Sequence, residues 1–77
     1  MEIKICGPGC SKCDEAHANA LSAVKKSGKD ISVVKVTDFQ QIAMLGIFST
    51  PAVVVDGEVK CVGRSAGEDE IYSWINV

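Results

Sequence analysis

Cys10-Ser11-Lys12-Cys13 is the stretch of this chain best suited to chemistry. Two cysteines at this spacing can close a small disulfide, exchange it with other thiols, or hold a soft metal. The apolar run Ile3-Lys4-Ile5-Cys6 and a Gly7-Pro8-Gly9 loop precede the pair, and a helix-like stretch follows it. A cysteine at such a strand-to-helix junction stands among unpaired backbone N–H groups, which favour the thiolate. If the helix start and neighbouring Lys12 lower the Cys10 pKa by about one unit, the thiolate gains roughly 1.4 kcal/mol over the thiol. Cys13 falls one turn along the helix on its apolar face, where partial burial keeps it a thiol until it is needed. Cys6 and Cys61 read as buried thiols, although Cys6 is near enough in the chain for an alternative disulfide with Cys10. His17, four residues past Cys13, reads as a solvated helix position with a metal ligand or base as the alternative.

The elements that must position these residues follow from pattern and punctuation. Glu2–Cys6 reads as the first strand. A helix from about Cys10 to Ser27 places Cys13, Ala16, Ala20, Ala23 and Val24 on one face, and Gly28 stops it. Ile31–Val36 is a β-branched run expected to form a strand covered on both faces, as is Ala52–Val55. Between them, Asp38 with Gln41 suggests a capping box for a helix bearing Phe39, Ile42 and Leu45 inward and ending at Gly46. Asp56-Gly57 is a two-residue hairpin turn, so Glu58–Val62 returns as an antiparallel edge strand with Val59 and Cys61 on one face. Ser65 with Glu68 suggests a capping box for a last helix through about Ile75. Phe39, Phe48, Tyr72 and Trp74 are read as packing residues. The order β-α-β-α-β-β-α predicts an α/β domain, residues 1–77, with a mixed four-stranded sheet and helices on both faces.

Composition narrows the function classes. A net charge of −2 with no Lys/Arg cluster argues against nucleic acid and anionic membranes as partners. No apolar stretch approaches a membrane span, and Glu2 and Lys4 interrupt the first apolar residues as no secretion signal would. A cytoplasmic, reducing setting is therefore expected, and there a C-x-x-C pair is more often redox-active or metal-binding than structural.

The element order, C-x-x-C after strand one and Thr50-Pro51 before strand three together resemble the thioredoxin fold in its minimal form. Gly7-Pro8-Gly9-Cys10-Ser11-Lys12-Cys13, Lys35-Val36-Thr37-Asp38, Ser49-Thr50-Pro51-Ala52, Val55-Asp56-Gly57 and Gly63-Arg64 extend the likeness over essentially the whole chain. These motifs resemble the small redox-active disulfide proteins of prokaryotes, glutaredoxin-sized members of the thioredoxin superfamily. The resemblance implies a thiol–disulfide oxidoreductase with Cys10 as nucleophile and Cys13 as resolving thiol. It also implies a cis peptide bond at Pro51, with Thr50 presenting its backbone to a substrate segment and Ser11 and Lys12 beside it. The expected partners are disulfide-containing proteins and a thioredoxin-reductase-type reductase, for a monomer with no metal and no cofactor beyond the Cys10–Cys13 disulfide. Two positions depart from larger relatives. Lys4 stands where they carry a buried acid six residues before the nucleophile, and Gly63-Arg64 stands where many glutaredoxins carry Gly-Gly, so neither an internal carboxylate nor a glutathione site is supported.

Two other classes stay open on sequence grounds. A Cu(I) or Zn(II) carrier would use Cys10 and Cys13 with Cys6 or His17. Metal-chaperone domains, however, run β-α-β-β-α-β and usually carry Met where this chain has Pro8. A non-catalytic module with a cysteine switch needs the same pair as the enzyme.

Overall fold

The computed structural model describes residues 1–8 and 11–76. Its elements follow the expected order: β1 (Glu2–Cys6), α1 (Ser11–Ser27), β2 (Ser32–Val36), α2 (Phe39–Met44), β3 (Ala52–Val55), β4 (Glu58–Val62) and α3 (Glu68–Ile75). Cys10, where the sequence reading began α1, lies outside the described residues together with Gly9.

Strand β1 carries the design. Its residues alternate Ile3 and Ile5 toward one face and Lys4 and Cys6 toward the other, and it is flanked on both sides. It runs parallel to β2 and antiparallel to β3, and β4 pairs antiparallel with β3, so the mixed sheet is ordered β2-β1-β3-β4. On one face Ile3, Ile5, Val53 and Val55 pack against Ala16, Ala20 and Ala23 of α1 and Ile71 and Ile75 of α3. On the other, Cys6, Val36, Ala52 and Val54 pack against Ile42 of α2 and Ile47. Burying each of these isoleucines is worth about 1.5–3 kcal/mol. The small alanines of α1 let that helix lie close to both sheet and α3.

Local signals set the ends of the elements. Asp56 (φ 50°) and Gly57 (φ 80°) form the left-handed pair of a two-residue hairpin turn. Gly28 closes α1 at φ 70°. Helix α3 is tied to α1 by the Lys26–Asp69 ion pair at 3.2 Å, and the Lys29 ammonium donates to the Ile75 carbonyl at its C-terminus, 2.9 Å away.

Four expectations are corrected here. The second strand begins at Ser32 and is an edge strand with Ser32, Val34 and Lys35 exposed, rather than one covered on both faces. Among the described residues it pairs only with β1, and a β-branched run does not by itself report whether both of its faces are covered. In β4 a bulge inserts Lys60, so Cys61 pairs with Val53 while Val59 pairs with Val54. Val59 and Cys61 therefore face opposite sides of the sheet. The cap of α3 is Gly67, whose N–H donates to Glu70 at 3.4 Å, while the Ser65 hydroxyl instead donates to Glu15 on α1 at 3.3 Å. At α2 the Asp38 carboxylate accepts from the Gln40 N–H at 2.9 Å, and Gln41 is turned to an exposed groove rather than closing a box.

Candidate functional site

The C-terminal end of β1, the first turn of α1 and the turn before β3 converge on Cys13. Cys13 is the third residue of α1 and only 3% exposed, as its place at the head of the Ala16–Ala20–Ala23 stripe requires. Ser11 and Lys12, the two residues before it, are exposed, so the first turn offers solvent one face and the core the other. Asp14 in the same turn suits the positive helix end and is held by Lys35 of β2 at 3.2 Å.

Gly7 and Thr50 bracket the buried thiol. Gly7 is buried and pinned to β2 by donating its N–H to the Val36 carbonyl at 2.9 Å. The spot where its Cβ would stand is filled by Cys13 Sγ, with Cys13 Cβ at 3.3 Å and Thr50 Cβ at 3.6 Å. The Thr50–Pro51 peptide bond is cis, the geometry that the resemblance implied. Pro51 is buried, and its carbonyl accepts from the Gly63 N–H at 2.9 Å, which ties this turn to the end of β4.

Thr50 also opens onto an apolar groove of about 280 Å³ that it shares with Phe39, Ile42, Ala43, Ile47 and Phe48. Phe39 and Phe48 were expected inside, yet they are 63% and 85% exposed, and Met44 beside them is 82% exposed. With only six residues, α2 can seat Ile42 and part of Leu45 on the sheet but cannot turn its first residue inward as well. The sequence signal for this surface was available in part: one phenylalanine opens α2, and another follows it two residues before Thr50.

Cys6 and Cys61 lie on opposite faces of the sheet. Cys6 is fully buried on the α2 face, and burial pushes its thiol up while the Lys4 ammonium pulls it partly back. Cys61 is buried on the opposite face, its thiol donating to the Arg64 carbonyl at 3.2 Å. Lys4 shares the α2 face, away from α1, and lines a second groove of about 360 Å³ with Val36, Gln41, Met44 and Leu45. Arg64 is turned to Glu70, its Nη1 donating at 2.8 Å, and this guanidinium holds the Glu70 carboxyl below its ordinary range. His17 is half-buried on α1, and among the described residues no three His, Cys, Asp or Glu side chains gather as a metal set.

A thiol buried at the first turn of a helix, against a cis-proline turn on a mixed four-stranded sheet, is the thioredoxin arrangement. The family model described as "Thioredoxin domain" matches residues 1–76. The chain belongs to the thioredoxin domain family. It is 41% identical over 71 residues to a thioredoxin of Methanothermobacter thermautotrophicus, an alignment covering 92% of each chain. It is 39% identical over 69 residues to a thioredoxin of Methanocaldococcus jannaschii, covering 90% of this chain and 79% of that one. As a thioredoxin-family protein it is a thiol–disulfide oxidoreductase, which reacts with disulfide substrates and is returned to the dithiol by a reductase.

Proposed function

We propose that Cys10 and Cys13 are the redox pair, with Cys10 as the attacking thiol and Cys13 as the resolving one. The observation that carries this reading is the setting of Cys13: buried at the head of α1, against Gly7 and beside Thr50, directly behind an exposed turn. The Cys10 thiolate attacks one sulfur of a substrate disulfide, forming a mixed disulfide and expelling the other sulfur as a thiolate that takes up a proton. Cys13 then gives up its proton and attacks the Cys10 sulfur. The Cys10–Cys13 bond forms, the substrate bond breaks, and the substrate leaves as its second thiol. Two electrons pass from the cysteine pair to the substrate, and a thioredoxin-reductase-type enzyme restores them.

On this reading Ser11 and Lys12 in the exposed turn, and Thr50 and Pro51 across from it, contact the substrate segment. Phe39 and Phe48 continue that contact surface along α2. The substrates are disulfide-bearing proteins, and no cofactor beyond the pair takes part. The whole chain acts as one thioredoxin-like domain, as a cytoplasmic monomer that engages neither nucleic acid nor membrane. The net charge of −2 disfavours nucleic acid and anionic membranes as partners, and no helix among the described residues is long and apolar enough to cross a membrane.

Turnover of a protein disulfide by serine variants tests the assignment. Cys10→Ser is expected to abolish it, because no thiolate remains to attack. Cys13→Ser is expected to complete one attack and stall as a covalent mixed disulfide visible by mass. Full activity in Cys10→Ser contradicts the assignment.

A further inference from the structure

We propose that Gly7 is a positioning residue for the resolving thiol, its missing side chain forming the seat in which Cys13 Sγ lies. The proposal rests on the roles given above to Cys10 and Cys13.

The need for glycine here is one of space, because Gly7 is not among the residues of positive φ. An added Cβ would overlap Cys13 Sγ outright. The surroundings leave little room to relieve that overlap. The residue 7 backbone is fixed to β2 by its hydrogen bond to the Val36 carbonyl, and Thr50 Cβ already stands in contact with the added atom at 3.6 Å. Cys13 Cβ is held by the helix. What can move is the sulfur, by rotation about the Cα–Cβ bond into another staggered rotamer. A side chain at position 7 therefore expels the thiol from its seat.

The second step of exchange depends on where that sulfur lies. Cys13 must approach the Cys10 sulfur along the axis of the bond it breaks, and displacing a reacting atom by about 1 Å can cost on the order of 100-fold. The first attack uses Cys10 alone and does not depend on the seat.

The test is Gly7→Ala, made in the native chain and in a Cys13→Ala background. With a protein disulfide as probe, rapid-quench mass spectrometry separates formation of the mixed disulfide from its release. Formation is expected to keep its native rate, release to slow by about 10- to 100-fold, and Cys13 to become faster to alkylate with iodoacetamide. In the Cys13→Ala background the same substitution is expected to cost far less stability, since Cβ meets Cβ at 3.3 Å and only a few tenths of an ångström must be given up. Should Gly7→Ala alone fail to fold while the double variant folds, the steric seat is confirmed. Native-rate release with Cys13 still protected overturns the proposal, and so does an equal stability loss in both backgrounds. Stability coupling between positions 7 and 13 does not involve Cys10, so failure of the nucleophile assignment shows separately, as turnover by Cys10→Ser.

Discussion

The thiols Cys6, Cys13 and Cys61 differ in what surrounds each sulfur, and that difference decides what each can do. Cys13 is buried against Gly7, near the turn at Thr50. Cys61 is occupied with the Arg64 carbonyl. Cys6 sits in an apolar pocket whose burial disfavours the thiolate more than Lys4 favours it. The consequence for stability has a definite sign. A group whose folded pKa is raised holds its proton in the folded state after the unfolded chain has lost it. Its stabilising contribution is therefore complete below the ordinary thiol value of 9.0 and is lost as pH rises through the higher folded value. Urea unfolding at a series of pH values from about 8 to 10.5 is expected to show stability falling over that range. Cys6→Ala, which costs about 1 kcal/mol at neutral pH, is expected to flatten the fall. An unchanged alkaline slope in that variant would mean that another group is responsible. The cis turn at Thr50-Pro51 was legible through the resemblance its motifs carry, and the burial of Cys13 through its place on the apolar face of α1. The seat at Gly7 was not, because it is a contact between β1 and α1 that no spacing announces.

At the scale of elements, α2 is too short to hide its own apolar residues, and this gives the molecule its exposed aromatic surface. Replacing Phe39 and Phe48 by serine is expected to leave stability within about 0.5 kcal/mol, since neither packs inside. The same change is expected to raise KM for a protein disulfide by about tenfold, with a much smaller effect on a low-molecular-weight aromatic disulfide. Steady-state kinetics with both substrates checks this, and equal loss on the two would remove α2 from the docking surface. Element order, the Asp56-Gly57 turn and the stop at Gly28 could be read from the sequence because each depends on backbone preferences of one or two residues. The inward face of α1 could be read because its alanines repeat at helical spacing. What could not be read depends on neighbours. The edge position of β2 follows from sheet order, and the Lys60 bulge from the fit of β4 to β3. The Gly67 cap of α3 follows from where Glu70 and Ser65 find partners across the chain.

The whole molecule brings Cys13, Gly7 and the cis turn at Thr50-Pro51 to one end of a sheet that carries helices on both faces. Cys13 belongs to the α1 side and Cys6 to the α2 side, so the sheet stands between them. An exchange with Cys10 that ended on Cys6 would require β1 and α2 to separate, whereas one that ends on Cys13 uses the thiol already at the head of α1. The most direct measurement is a disulfide map of the protein after it has reduced a protein disulfide. Thiols reactive in the folded protein are alkylated first, those uncovered by unfolding without reductant are alkylated second, and a third label added after reduction marks the cysteines that were bonded. The account predicts one bond, between Cys10 and Cys13, with Cys6 and Cys61 unbonded and open to alkylation only after unfolding. A Cys6–Cys10 bond in the oxidised product would contradict it.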